Sequence, residues 1–551
     1  MNPLLHYEYG KQRKAFVSTW RTSNISSGST TSNQIKLPLT SNGNYNFRVD
    51  WGDGNVDKIT SWNQSQVTHT YSVEGNYTVK ITGICNGWSF TNTGDRLKIL
   101  SIVSWGGLKL GTYQGSFFAG CANLNLSTVS DALDLTGIVT FNSFFYGCTS
   151  LTSVSKINEW NTSNIYNMGA MFLGAENFNQ NIGAWNVNNV RDFSNMFANA
   201  KLFNNGESPD INNWKLKSDE EVLVYGMFSQ ALNFNQPIGN WNVSSVKSMQ
   251  TMFQSAKNFN QNIGSWNTAN VTSMNYMFSG SESFNQNIGA WNTGKVTDMN
   301  NMFTGAYNFN QNIGSWNVTN VISFKQMFGS ANSFNNGGSP DINNWTLKPS
   351  GAIDMSQMFS GATGFNQPIG NWNTSAVTNM VNMFAYASNF DQNINTWDIS
   401  KISSLNGMFL GAAKFNQNIG AWNVSNVTDF SIMFQYAYAF NNGGSPDINN
   451  WTLKSNGNID MSRMFFLTTN FDQPIGNWNI SNVTKISDFM ASNLSPSNLD
   501  AIYNGWSSRV VKPSLSISFN SSKYTSASTV ARAILTGAPN NWTIYDGGVT
   551  T

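Results

Sequence analysis

The chain has 551 residues, of which Asp, Glu, Lys and Arg supply 11%, against about 25% in an ordinary soluble domain. A net charge of +1 excludes a broad field for nucleic acid or an anionic membrane, and 14% aromatics exclude a disordered chain. Three cysteines are too few for a disulfide scaffold, two distant histidines exclude a His-rich metal site, and no run of 18 apolar residues spans a membrane.

The polar surface must therefore consist mainly of Asn, Ser, Thr, Gln and Gly. Such a surface suits hydrogen-bonded contacts to sugars or to other proteins. The opening stretch, MNPLLHYEYGKQRKAF, has no apolar core and no small-residue cleavage site, so it is not expected to be a secretory signal. That favours a protein reaching an outer surface without secretion, as on a virion. The alternative is a secreted chain whose signal has been removed.

Residues 1–14 are read as an N-terminal arm. From 15 to 100, FRVDWGDGNVDKITSW and VTHTYSVEGNYTVKITG alternate apolar and polar residues around turn signals, which predicts a small β-sandwich. The segment resembles a PKD-like domain through Trp51–Gly54 and His69–Val79. The resemblance implies that His69 packs within the sandwich. Asp53 is expected to be a turn residue, with a calcium contact as the alternative.

Residues 101–156 hold the first repeat turns, SFFAGCANL (116–124) and SFFYGCTSL (143–151). Cys121 and Cys148 fill the slot that later holds Ala175, Ala200 and Ala231. A free thiol acting as a small apolar residue is the plainer reading, with a disulfide between stacked turns as the alternative.

Residues 157–490 carry a unit of about 25 residues. MFSGSESFNQNIGAWNTGKVTDM (277–299) is followed by MFTGAYNFNQNIGSWNVTNVISF (302–324). Thirteen tryptophans from Trp160 to Trp478 mark the register, each with Ile three residues earlier. Val-x-x-Met predicts a short strand. Met-Phe and the small residue after it predict one helical or 3₁₀ turn. Phe-Asn-Gln-x-Ile-Gly-x-Trp predicts a bent extended segment, with Gly314 as a corner. No single unit can bury these residues, but stacked units can. Asn179, Asn235, Asn260, Asn285 and Asn310 are then expected to form a hydrogen-bonded ladder.

In three units the FNQNIGxW segment becomes FNNGxSPDINNW, as at 203–214, 334–345 and 440–451. Gly and Pro in an insertion belong in a loop, so these units predict a protruding contact side. Its candidate residues are Asn205, Pro209, Asp210, Asn336, Pro340, Asp341, Asn442, Pro446 and Asp447. The last segment, 491–551, is expected to be a mixed α/β cap: SPSNLDAIYNGW opens a helix after Ser-Pro, SASTVARAILTG is a second amphipathic segment, and NNWTIYDGG ends in a strand and turn.

The MFxGAxxFNQxIGxWNVSNVTxM unit, the FFxGCxxL turns and the NLDAIYNGW…WTIYDGG end resemble the repeats of BspA-like, leucine-rich-repeat-related bacterial surface proteins. The resemblance implies a right-handed solenoid and a role in adhesion or surface interaction, and it brings no catalytic motif.

The expected fold is thus mainly β: a leucine-rich-repeat-like β-solenoid with an N-terminal β-sandwich and a mixed α/β cap. The tryptophans are expected to pack inside, with sugar stacking as the alternative. No GxSxG, HExxH or P-loop is present. Glycan cleavage needs carboxylates about 5–9.5 Å apart, whereas Asp210, Asp341 and Asp447 lie four or five turns apart, about 19–24 Å at strand spacing. The reading is a non-enzymatic structural or adhesive surface protein of a phage particle, with no cofactor. Its partners would be other structural proteins of an assembly and a host surface protein or glycan, without nucleic acid or membrane insertion. The alternatives are a bacterial surface adhesin and a glycan-cleaving spike.

Overall fold

A computed structural model describes residues 14–112 and 115–550. The expected arm therefore lies, but for Lys14, outside the described residues, and so does His6. The chain divides into two compact units, Met1–Asn270 and Val271–Thr551.

The first unit begins with strands set by two-residue alternation. They are β1 (Phe16–Arg21), β2 (Gln34–Lys36), β3 (Leu39–Asp50), β4 (Val56–Ile59), β5 (Thr68–Thr70), β6 (Asn76–Trp88), β7 (Ile99–Ser104) and β8 (Leu108–Lys109). The main sheet runs β4-β3-β6-β1-β7, with β8 beside β6, while β2 and β5 form a separate antiparallel pair. Tyr45, Phe47 and Val49 on β3 and Phe16, Ser18 and Trp20 on β1 are buried while their sequence neighbours are more open, as a half-buried sheet requires. The expected β-strand character of this segment is present, as one six-stranded sheet and a separate two-stranded pair. The boundary expected at 100 falls inside β7. That strand stays with the sheet because it pairs with β1, and it also meets the first repeat turn through a parallel bridge, Ser101 to Asn125.

The repeats of each unit stack as coils. In the first unit the rings of Phe172, Phe197, Phe228 and Phe253 lie parallel at 5.6–5.7 Å. In the second, Phe278, Phe303, Phe328, Phe359, Phe384, Phe409, Phe434 and Phe465 lie at 5.4–5.7 Å. These are offset-stacked faces, the favoured geometry for aromatic pairs. A second column, Phe284 to Phe440, repeats at 5.9 Å.

Tryptophans form the third column; the ring N–H of the first, Trp160, is buried without a partner, and those that follow repeat one bond. Trp316, Trp345 and Trp372 donate to the carbonyls of Ile288, Ile313 and Ile342 on the preceding coil, at 3.1, 3.2 and 2.9 Å. Trp185, Trp214, Trp241 and Trp266 do the same in the first unit. This explains the invariant Ile-x-x-Trp: the isoleucine fills the core, and its carbonyl receives the next indole.

Two sequence expectations are corrected. The Val-x-x-Met strand is reduced to single parallel bridges, such as Ser273 to Asp298 and Asp298 to Ser323, or to pairs of short strands. These pairs are β9 (Ile353–Asp354) with β10 (Val377–Asn379), and β11 (Ile459–Asp460) with β12 (Val483–Lys485). The Met-Phe segment is a run of reverse turns instead of a helical turn. The N–H groups of Met277, Ser279 and Ser281 bond three residues back, while those of Tyr276, Phe278 and Gly280 reach the next coil. Left-handed φ at Tyr276 (56°) and Gly280 (71°) prevents a helix and turns alternate amides outward. The second of these positions is the glycine of MFxGA.

Gly314 stands at the expected bend, inside the turn that the Trp316 N–H closes on Ile313 O at 3.0 Å, without left-handed backbone. It is a spacing residue: a Cβ there would lie 2.4 Å from Asp341 Cβ. Gly305, by contrast, has φ +67°, and a Cβ there would make only an ordinary contact, 3.8 Å from the Gly280 backbone. Gly305→Ala should cost about 1 kcal/mol through its backbone. Gly314→Ala should cost about 1–3 kcal/mol because two coils must separate. Urea unfolding of the two variants checks this order.

The asparagine ladder is present, and its bonds run from side chain to backbone. Asn285, Asn310, Asn335, Asn366, Asp391, Asn416, Asn441 and Asp472 each accept the backbone N–H of the equivalent position one coil on, at 2.7–2.9 Å. In the first unit Asn179, Asn204 and Asn235 do so at 2.9 Å. Only an acceptor is needed, which is why Asp391 and Asp472 fit. Asn310→Ala strands the N–H groups of Asn335 and Gly337 and should cost about 1–3 kcal/mol. Asn310→Asp should cost far less in the same unfolding measurement.

The end of the second unit holds α1 (Pro496–Ser507), β13 (Ser516–Ser518), α2 (Thr529–Thr536) and β14 (Thr543–Tyr545). The mixed composition expected there is present. Trp506 of α1 extends the indole column, donating to Ile475 O at 3.2 Å. Asp546 accepts from Tyr503 and Arg532 at 2.6 and 2.7 Å, tying the cap together.

Candidate contact surface

The insertion turns are built alike. Ser208, Ser339 and Ser445 cap short 3₁₀ turns, Pro209–Asn213, Pro340–Asn344 and Pro446–Asn450. Each serine Oγ accepts the N–H of Asp210, Asp341 or Asp447. The three prolines and three aspartates are exposed. Each aspartate also accepts the side-chain N–H of an asparagine one coil back, Asn181, Asn312 or Asn418, at 3.1–3.3 Å.

Asn205, Asn336 and Asn442 are not surface contacts. All three are 0% exposed and sit in left-handed backbone at φ 51–53°. Their Oδ1 atoms accept the buried N–H of Ile182, Ile313 and Ile419, and their Nδ2 atoms donate to Ser208, Ser339 and Ser445. An unpaired buried N–H costs about 1–3 kcal/mol. These asparagines are clamps that hold the insertion to the stack.

Beside the second insertion lie two adjoining depressions of about 350 and 260 Å³. They share Asn343 and Asn371, and Asn344, Thr346, Asn373 and Thr396 add neutral polar groups against Pro349 and Pro368. Asn343 accepts the Asn371 N–H at 2.9 Å. Asn212 to Asn240 and Asn449 to Asn477 repeat that bond at 3.0 and 2.9 Å. Sequence reasoning missed these residues. The available signal was the segment QPIGNW, which follows PDINNW each time, at 236–241, 367–372 and 473–478.

Charge near the first insertion is self-neutralised. Arg191 pairs with Glu220 at 2.8 Å, Lys247 with Glu221 at 2.6 Å and Lys217 with Asp219 at 3.0 Å. The repeat tryptophans are buried and offer no face to a sugar. Cys121 and Cys148 are buried free thiols, and Cys148 donates to Phe118 O at 3.1 Å. His69 stacks on Trp51, with centroids 4.8 Å apart, and meets Asp53 at 2.8 Å. Burial alone would push the Asp53 carboxyl up; bonds from His69 and Asn55 outweigh it and hold it below the ordinary carboxylate range.

One acidic pair escaped the sequence reading: Asp429 and Asp460 are joined through their backbones by a parallel bridge. Burial would raise Asp460, but Ser462 and Lys485 outweigh that and keep it low. A glycosidase acid needs the opposite shift. Among the described residues no group of three His, Cys, Asp or Glu side chains could hold a metal ion, and no helix is long and apolar enough to cross a membrane.

Stacked coils with closed hydrogen-bond ladders and a neutral exterior define a mainly β repeat protein. The family described as "Mycoplasma protein of unknown function, DUF285" matches residues 114–225, 222–345, 338–451, 392–506 and 444–526, and the chain belongs to that family. The matches cover about three quarters of the sequence and leave the N-terminal sheet outside. No curated protein and no solved structure matches it.

Proposed function

We propose that this chain is a non-enzymatic, leucine-rich-repeat-like β-solenoid displayed on an outer surface, where it serves adhesion or structural contact. The observation that carries the reading is the division of labour in each coil. Apolar side chains and ladder groups are consumed internally, and what faces outward is Asn, Thr, Gln and Pro with few charges. A neutral polar surface binds through hydrogen bonds and shape, and is little weakened by salt.

The insertion units supply the contact relief through Pro209, Asp210, Pro340, Asp341, Pro446 and Asp447, together with the asparagine-lined depressions. The partners are other structural proteins of an assembly and a host surface protein or glycan. Display on a phage particle is the first placement, and a bacterial cell surface the second; the family's Mycoplasma description favours the second.

Mass spectrometry of purified particles and of proteins shaved from intact cells tests this reading. Recovery of the chain in either fraction supports display, and recovery only from cytosol ends it. Asn344→Glu/Thr346→Glu places charge in the depressions without touching a ladder bond. Unchanged binding to surfaces recognised by the wild type would remove the insertion side as the contact face.

A further inference from the structure

Twenty tryptophans occur in the sequence, and nineteen are no more than 4% exposed. The exception is Trp62, at 44%. It stands at the edge of a concavity of about 340 Å³ in the N-terminal sheet region, whose lining includes Lys36, Pro38, Leu39, Ser89, Thr91 and Thr93. We propose that this concavity is a saccharide-binding site in which the Trp62 indole stacks on the C–H face of a pyranose ring.

The loop that carries Trp62 is braced from below. Gln64 Oε1 accepts the N–H groups of Thr60 and Ser61 at 2.8 and 3.1 Å, and its Nε2 donates to Lys58 O at 2.9 Å. The ring is therefore held outward by a structured loop, which lowers the entropy lost on binding. An indole left in water forgoes the burial that every other tryptophan here obtains. Its flat apolar face with a polar N–H edge is what a sugar ring requires.

The floor is equally rigid. Asp95 is 3% exposed, and its carboxylate is fully used by Thr30, Lys36 N–H and Lys98. It shapes the site without contributing a free charge. The open walls alternate apolar Pro38 and Leu39 with hydroxyl-bearing Thr91 and Thr93. Lys36 is exposed, makes no ion pair among the described residues, and brings an ammonium donor to ring oxygens or to a sugar carboxylate. The volume lies at the small end of ligand sites and suits one or two sugar rings better than a helix or strand. This inference does not depend on the contact role proposed for the repeats, because it concerns residues outside the family match.

The test uses the full chain on a glycan array carrying N-acetylglucosamine oligomers, mannose- and galactose-terminated glycans and galacturonate oligomers. Saturation-transfer NMR and calorimetry with the best-bound glycan follow. Binding is expected, weakened at least ten-fold by Trp62→Ala and largely restored by Trp62→Phe, with the melting curve unchanged. Lys36→Glu separates the ligand classes: it should abolish binding of galacturonate and only weaken that of a neutral glycan. The proposal is overturned if no glycan on the array binds, if Trp62→Ala binds as well as the wild type, or if only a protein is captured at this site.

Discussion

Asp95→Ala is expected to destabilise the N-terminal sheet region by about 3–5 kcal/mol, the cost of leaving one member of a buried pair alone. Lys98 is 0% exposed. Its ammonium lies 3.3 Å from Asp95 and donates to Thr30 O, Thr31 O and Gln34 O at 3.1, 2.8 and 2.9 Å. Burial pushes the Lys98 ammonium toward its neutral form, and the Asp95 carboxylate opposes that. Removing the carboxylate takes away the opposing charge and also strands the Thr30 and Lys36 N–H groups. The pair fastens the segment between β1 and β2 to the turn before β7, so its loss should loosen both. The double variant Asp95→Leu/Lys98→Met should recover part of the loss, because no uncompensated charge remains. Urea unfolding of the three variants checks this; a loss below about 1 kcal/mol for Asp95→Ala would show that the pair does not hold the region together.

Trp316→Ala is expected to cost about 3–5 kcal/mol, the usual range for removing a large buried aromatic. The indole stacks on Trp291 of its own column at 6.4 Å, with rings 3° apart, and meets Phe303 of the Met-Phe column at 6.3 Å. Its truncation opens a cavity and leaves the Ile288 carbonyl without its donor. Trp316→Phe keeps most of the stacking and loses only that bond, so about 1–3 kcal/mol is expected. Each coil touches only its neighbours, so damage should remain local. Amide exchange should accelerate first in the coils flanking Trp316 and last in the cap. Uniform acceleration across the second unit would contradict nearest-neighbour coupling.

The repeat was legible because its constraints are local and recur. Ile-x-x-Trp, Phe-Asn-Gln and Met-Phe each mark one column, and a column needs the same residue at the same place in every coil. The asparagine ladder could be anticipated for that reason. Its chemistry could not: the acceptor bonds backbone, which only the coil-to-coil register reveals and which makes Asp391 and Asp472 ordinary members.

The insertion turns show the opposite case. Gly, Pro and Asp correctly placed 209–210, 340–341 and 446–447 on the outside. The same composition wrongly suggested that Asn205, Asn336 and Asn442 lie there too. An asparagine in left-handed backbone looks the same in sequence whether its amide faces water or fills a buried gap. The gap belongs to the preceding coil, about 23 residues away in the chain.

By itself the sequence determined the coil period, the residues of each aromatic column, the β-stranded start, the helical cap and the scarcity of charge. Those properties follow from periodicity and composition, which neighbouring residues carry. Only the tertiary structure decided which amides turn toward the next coil, which glycines act through spacing instead of φ, that Lys98 and Asp95 are buried together, and that Trp62 alone among the tryptophans faces water. These depend on what a distant segment places against a residue, and packing sets that where local pattern does not.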